Sequence, residues 1–322
     1  MTAIRTQELT KDFLVGFWRP RPYRALDRLS IEVAPGEVFG FLGPNGAGKT
    51  TTLKLLMQLV FPTSGKAEIL GRPAGDVAVR RRIGYLPENP YFYDHLTAEE
   101  LLDYYGRLFG MGAAERRVRS AATLDRLGIG AERRLQLRKF SKGMLQRVGL
   151  AQALLNDPEV IFLDEPMSGL DPLGRRDVRA LMLELRDAGR TIFFSSHILS
   201  DAEALCSQVA IVAKGRLAAA GRLADLQEFA VHGWELVMAS VPDAALTRIR
   251  GIARRVMSVA GDRYVIDLPA DGRPEDVLRD LVAAGATLVS LNPLRETLED
   301  VFVRRVAAMG DGARPPASEV AQ

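Results

Sequence analysis

Gly43 to Thr50 reads Gly-Pro-Asn-Gly-Ala-Gly-Lys-Thr, fits the pattern G-x-x-x-x-G-K-[ST], and directly follows the apolar, β-prone run Val38 to Leu42. Its glycines let consecutive backbone N–H groups turn inward as an anion-binding nest, and a helix starting near Lys49 aims its positive dipole end at the same point. Phosphate is the natural guest. Lys49 is placed to reach the β- and γ-phosphates, and the Thr50 hydroxyl to serve Mg²⁺. The nucleotide-binding set is therefore Gly43, Pro44, Asn45, Gly46, Ala47, Gly48, Lys49, Thr50 and Thr51. A glycine-rich turn that fits by chance is the alternative, and the strand before the loop and helical run Thr51 to Leu56 after it weigh against that. The motif alone does not separate kinases, GTPases, helicases and transport ATPases.

Composition narrows the class. With 322 residues, 47% of them hydrophobic, the chain has material for two or three soluble globular domains. Its 43 basic and 40 acidic residues nearly cancel, and the arginine pairs are scattered, so no nucleic-acid footprint is present. The single cysteine, Cys206, reads as a buried structural thiol in a reducing compartment. No apolar run approaches the ~20 residues of a membrane span, and the N-terminus lacks the apolar stretch of a signal peptide. Any membrane role is expected to come through a partner.

Read in order, strand Ile4 to Leu9 precedes an expected loop from Lys11 to Arg24, then strand Leu29 to Val33. In that loop Phe13, Phe17, Trp18 and Tyr23 interleave with Arg19, Arg21, Arg24 and two prolines, open to adenine stacking, a membrane surface or plain solvation. After the phosphate loop come strands Ala67 to Leu70 and Ile83 to Leu86. Thr97 and Glu100 then stand at capping-box spacing before a helix to about Phe109. Further helices from Ala114 to Leu127 and Ser141 to Leu155 follow, the last with Met144, Leu145, Val148, Ala151, Leu154 and Leu155 on one face. Residues 88–156 thus read as a helical insertion in an α/β fold. Apolar strands Val160 to Leu163, Thr191 to Phe194 and Val209 to Val212 restore a largely parallel sheet covered on both faces. Past a linker near 227–233 the order is β-α-β-β-α-β, which implies a small α+β ferredoxin-like domain over 233–307. The Pro- and Ala-rich residues 310–322 read as a disordered tail.

Val160-Ile161-Phe162-Leu163-Asp164-Glu165-Pro166 places two carboxylates at the end of a buried strand, a costly arrangement unless a cation is served there. Asp164 fits a metal carboxylate accompanying the phosphate loop. Glu165 fits the group that polarises or positions an attacking water.

With these residues in place, residues 4–226 resemble an ATP-binding-cassette ATPase, the P-loop motor subunit of an ABC transporter. The family's signature stretch matches Phe140-Ser141-Lys142-Gly143-Met144, its D-loop Ser168-Gly169-Leu170-Asp171, and its switch histidine His197 in Ser195-Ser196-His197. All parts stand in family order. The resemblance implies ATP and Mg²⁺ as ligands and a head-to-tail dimer, in which Ser141 and Gly143 face the γ-phosphate held by the opposite subunit. It also implies that His197 hydrogen-bonds the γ-phosphate and helps fix the water near Glu165; the lone histidines His95 and His232 read as structural, the commoner role of such a residue. Phe13 stands where the family stacks an aromatic on adenine, with Phe17 or Tyr23 as substitutes. The expected site is catalytic Glu165 and His197, metal-binding Thr50, Asp164 and Glu88, and the nucleotide set above with Phe13, Ser141 and Gly143.

Two departures stand out. Glu88 occupies the position of the family's Q-loop glutamine, and Lys142 and Met144 replace the usual Gly and Gln of the signature. A carboxylate at 88 still ligands Mg²⁺. The C-terminal extension and Leu298-Glu299-Asp300-Val301-Phe302 resemble those of bacterial exporter subunits with separate six-span permeases. The implied protein is a homodimer, or a heterodimer with a second ATPase subunit, peripheral on the inner face of the cell membrane through its permease. The alternatives are a soluble ABC ATPase acting on ribosomes or DNA, and a regulatory ATP sensor. Intact Glu165 and His197 argue against the sensor.

Overall fold

The computed structural model describes residues 2–226, 231–259, 261–295 and 297–308, so the expected tail at 310–322 lies outside the described residues. One compact unit runs to Leu223 and takes in the end of the last helix from Arg305; the other spans Ala224–Arg304.

The chain enters through β1 (Ile4–Val15), turns, and returns as β2 (Arg21–Leu29). The expected Lys11–Arg24 loop is therefore a long antiparallel hairpin, with Phe13 opposite Tyr23 and Val15 opposite Arg21. Pro20 and Pro22 suggested a loop, yet β2 is an edge strand, where a missing N–H costs no ladder bond. A bulge between Leu9 and Lys11 re-aims β1, and Thr10 Oγ1 accepts the Arg28 N–H at 3.0 Å there. After β3 (Glu32–Val33) comes β4 (Val38–Leu42), buried along its whole length, then α1 (Lys49–Leu56). β5 (Ser64–Ile69) and β6 (Arg72–Pro73) complete an antiparallel sheet in the order β2-β1-β5-β6, with β3 paired to β1. This second sheet was not read from the sequence.

A short α2 (Val77–Arg80) leads to β7 (Ile83–Leu86), and then the helices α3 (Ala98–Leu108), α4 (Ala113–Arg126) and α5 (Lys142–Leu154) take over. Thr97 caps α3 with Glu100 in the expected capping box. On α5 the buried set includes Gln146, Val148, Gly149, Leu150 and Ala151, whereas Met144, Leu145 and Leu154 are half-buried. The expected single face was too narrow because α5 packs on more than one side: a Cβ at Gly149 would lie 2.5 Å from Leu86 Cδ1 on β7.

The sheet resumes with β8 (Val160–Asp164), α6 (Pro172–Asp187), β9 (Thr191–Ser196), α7 (Leu199–Leu205), β10 (Gln208–Ala213) and β11 (Arg216–Arg222). Its order is β11-β10-β4-β9-β8-β7, parallel throughout except for β11 at the edge. β4, β8 and β9 are buried on both faces, as their unbroken apolar runs require. Their carboxyl ends put the phosphate loop, Asp164-Glu165 and Ser196-His197 side by side, the usual ligand edge of such a sheet. Cys206 follows α7. Its sulfur packs over Gly40 of β4, and burial pushes the thiol pKa up, as expected for a structural thiol.

After α8 (Leu223–Leu226), the second unit runs β12 (Val231–Ala239), α9 (Asp243–Ile249), β13 (Arg255–Val259), β14 (Arg263–Pro269), α10 (Pro274–Ala283) and β15 (Thr287–Arg295), followed by α11 (Leu298–Ala308). The antiparallel strand order β13-β14-β12-β15 is that of the split βαβ pattern. Leu236, Met238, Leu246, Ile249, Ile266 and Leu281 give this unit its own core.

Candidate active site

The phosphate loop is shaped by glycines with no alternative. Gly46 and Gly48 have φ of 79° and 102°, and a Cβ at Gly43 would lie 2.4 Å from the Val212 carbonyl oxygen. Gly48 caps α1 without a side chain, so the first N–H groups of the helix stay open for an anion. Lys49 is buried and folded back over the loop. Its Nζ donates to the carbonyl oxygens of Gly43 at 2.8 Å and Pro44 at 3.3 Å, and lies 3.2 Å from Glu165 Oε1.

The carboxylates at the end of β8 are held by β9. Ser195 Oγ donates to Asp164 Oδ1 at 2.5 Å and accepts the Glu165 N–H at 3.0 Å. That second bond pins Glu165, whose φ of 49° is the left-handed region that a non-glycine residue seldom adopts. Glu165 is 7% exposed, and its Oε2 is 2.8 Å from His197 Nδ1. Lys49 and His197 thus grip the same carboxylate from two sides. Burial holds the Asp164 carboxyl above its ordinary pKa against the opposing Ser195 bond and the nearby Thr50 hydroxyl, and the Glu165 charge adds to the rise. Beside Asp164, Tyr85 is pushed up to about 12 by burial and then by the Asp164 charge.

Asp164 Oδ2 is buried with no hydrogen-bond partner among the described residues. An orphaned carboxylate oxygen beside the Thr50 hydroxyl fits a divalent cation. No cluster of three His, Cys, Asp or Glu able to hold a metal exists among the described residues.

The sequence assigns Ser195 no task, because its partner is set by register: Asp164 pairs directly with Ser195 across β8 and β9. Replacing Ser195 with alanine leaves two buried polar groups unpaired at about 1–3 kcal/mol each. Thermal unfolding should therefore shift down by several degrees, at about 2–4 °C per kcal/mol, and ATPase activity should fall. Ser195→Thr keeps the hydroxyl and should recover both; a Ser195→Ala protein that melts and turns over normally removes the serine from the site. Asp201 was also missed. It lies on α7 with Oδ1 3.5 Å from Arg179, its Oδ2 is unpartnered among the described residues, and burial raises its pKa.

A cavity of about 290 Å³ opens above the loop, walled by Phe13, Tyr23, Asn45, Thr50, Thr51, Glu88 and Glu165 among others. Phe13 and Tyr23 therefore both reach the nucleotide end, with Lys11 Nζ 4.9 Å above the Phe13 ring. Phe17 does not: it lies at the hairpin tip, away from the cavity, because the expected loop is a hairpin. Ser141 and Gly143 do not line the cavity either. Ser141 caps α5 by accepting the Met144 N–H at 3.2 Å and is exposed. Lys142 packs against Gly169, and Leu170 against Gly143, so the signature stretch abuts the Ser168–Asp171 turn. Behind it, the buried Gln146 Nε2 donates to the Pro166 carbonyl at 3.0 Å and ties α5 to the segment after Glu165.

A phosphate loop at the ligand edge of a parallel sheet, facing a buried Asp-Glu pair and a histidine, defines a P-loop nucleotide hydrolase. Comparison with known proteins narrows this class. Residues 26–168 match the family model described as ABC transporter. The chain is 46% identical over 310 residues, 96% of its length and 86% of the relative, to an uncharacterized ABC transporter ATP-binding protein of Synechocystis sp.. It is 35% identical to the daunorubicin resistance ATP-binding protein of Streptomyces coeruleorubidus, over 87% of this chain and 90% of that one. A solved structure of an ATP-binding subunit of an ABC transporter aligns with a TM-score of 0.62 and 33% identity, covering 70% of this chain and 92% of that one. The chain belongs to the ABC transporter ATP-binding proteins, and it is an ATP-binding ATPase subunit.

Proposed function

We propose that this chain is the ATP-hydrolysing motor of an exporter whose permease is a separate protein, and that two ATPase subunits close head to tail around two ATP. The observation that carries the reading is the division of the site: Lys49 and Glu165 line the cavity and His197 is bonded to Glu165, while the signature residues Ser141 and Gly143 neither line it nor touch those groups. A second subunit with its own signature stretch completes the site. The daunorubicin-resistance relative supports export.

Lys49 Nζ pairs with Glu165 Oε1 at 3.2 Å. Arriving β- and γ-phosphates compete for that ammonium, which leaves Glu165 as a carboxylate free to accept a proton from the attacking water. His197 then holds the other Glu165 oxygen and orients it. Mg²⁺, held by Thr50 and Asp164 with Glu88 at the outer wall, would neutralise charge on the phosphates. Phe13, with Tyr23 beside it, would stack on adenine. Distal to this site, a groove of about 480 Å³ is lined by Tyr85, Pro87, Tyr91, Phe92, Tyr105 and Phe109, between β7 and the helices. Tyr91 is almost fully exposed in it. Glu88 lines the cavity while its sequence neighbours Pro87 and Pro90 line this groove, which suits transmission of nucleotide state to a permease docked there and so a seat on the inner membrane face.

The test is complementation in trans. Ser141→Arg and Lys49→Ala chains should each be inactive alone, whereas mixing them should restore at most one intact site per heterodimer. Full activity of either single variant, or no recovery on mixing, sinks the shared-site reading.

A further inference from the structure

We infer that the tip of the β1–β2 hairpin seats on an anionic lipid surface. Between Leu14 and Arg21 the tip exposes Leu14, Val15, Phe17 and Trp18, the last two at 91% and 89%. The two rings touch each other edge to face, with centroids 5.4 Å apart. Rings presented this way to water suit an interface that is apolar on one side and wet on the other.

Charge selects the surface. No acidic residue lies between Asp12 and Asp27. Arg24, at the hairpin base, is neutralised by Asp12 at 2.9 Å, but Arg19 and Arg21 at the tip have no ion-pair partner among the described residues. Unpaired guanidinium groups flanking aromatic rings match lipid phosphates, their stems lying along the apolar layer. Pro22 in the edge strand β2, with Pro20 just before it, also withholds its N–H, which works against a protein partner adding a strand there. The chain itself has no helix long and apolar enough to cross a membrane among the described residues. The hairpin gives it a contact with the bilayer that does not depend on a permease.

The chain contains two tryptophans, and Trp234 lies half-buried in β12 of the other unit. A Trp234→Phe background makes Trp18 the sole indole reporter. With vesicles of mixed phosphatidylcholine and phosphatidylglycerol, the full chain should cosediment and its emission should shift to the blue; vesicles of phosphatidylcholine alone should bind it far less. Arg19→Gln with Arg21→Gln should weaken binding roughly 30-fold, from about 5-fold per arginine near an anionic surface. Phe17→Ser with Trp18→Ser, followed by sedimentation, should abolish binding while ATPase activity is kept, since neither residue lines the nucleotide cavity. No blue shift on anionic vesicles, binding indifferent to lipid charge, or binding only when a permease is present in the vesicles would each overturn the assignment.

Discussion

Glu165→Gln is expected to lower kcat by roughly 10²–10⁴-fold while leaving ATP binding intact, because the change removes a proton acceptor and little else. The amide has the size of the carboxylate and can still meet His197 Nδ1, now at 2.8 Å from Oε2. Lys49 keeps its bonds to the Gly43 and Pro44 carbonyls and gains freedom to serve phosphate, since its partner at 3.2 Å loses its charge. Nucleotide affinity should therefore hold or rise. With turnover stopped, the ATP-bound dimer should accumulate, read as an ATP-dependent shift to larger size on gel filtration. A variant that hydrolyses ATP normally and stays monomeric would remove Glu165 from catalysis. Asp164→Asn separates the neighbouring carboxylates: it disturbs the Ser195 bond and the orphaned Oδ2, so its defect should follow Mg²⁺ concentration, whereas that of Glu165→Gln should not.

Much of this site was legible because its chemistry is local in sequence. The phosphate loop, Asp164-Glu165 and His197 each follow an apolar strand, and a parallel sheet brings such strand ends together. The pairings that hold them were not legible. Ser195 meets Asp164 only through the β8–β9 register, across 31 residues of chain, and Gln146 meets Pro166 only through the seat of α5. The long hairpin was hidden for a different reason: Pro20 and Pro22 carry a strong local loop signal, and only the edge position of β2 makes them compatible with a strand. In the second unit the β-α-β-β-α-β order was readable because Gly261 and the alternating strands Arg255–Val259 and Arg263–Pro269 form a local hairpin.

Phe193→Ala should be the most damaging core substitution, costing about 3–5 kcal/mol as expected for a fully buried phenylalanine. The ring is inaccessible to solvent and joins three strands, stacking on Phe39 with centroids 5.5 Å apart and meeting Phe41 at 5.3 Å and Phe162 at 5.9 Å. Two of the partners and the ring itself lead into chemistry: Phe41 precedes Gly43 by two residues, Phe162 precedes Asp164 by two, and Phe193 precedes Ser195 by two. In a strand that spacing means the same face, so the Phe162–Phe193 contact sits directly below the Asp164–Ser195 bond. A cavity there loosens the shelf that fixes the carboxylates. The melting transition of the first unit should fall by roughly 6–20 °C, from about 2–4 °C per kcal/mol for a unit of this size. Saturating ATP should recover part of the loss in proportion to the logarithm of its concentration, because it binds only the folded site. Phe193→Leu, which fills most of the volume, should lose much less; if alanine and leucine melt alike, ring packing is not what supports the site.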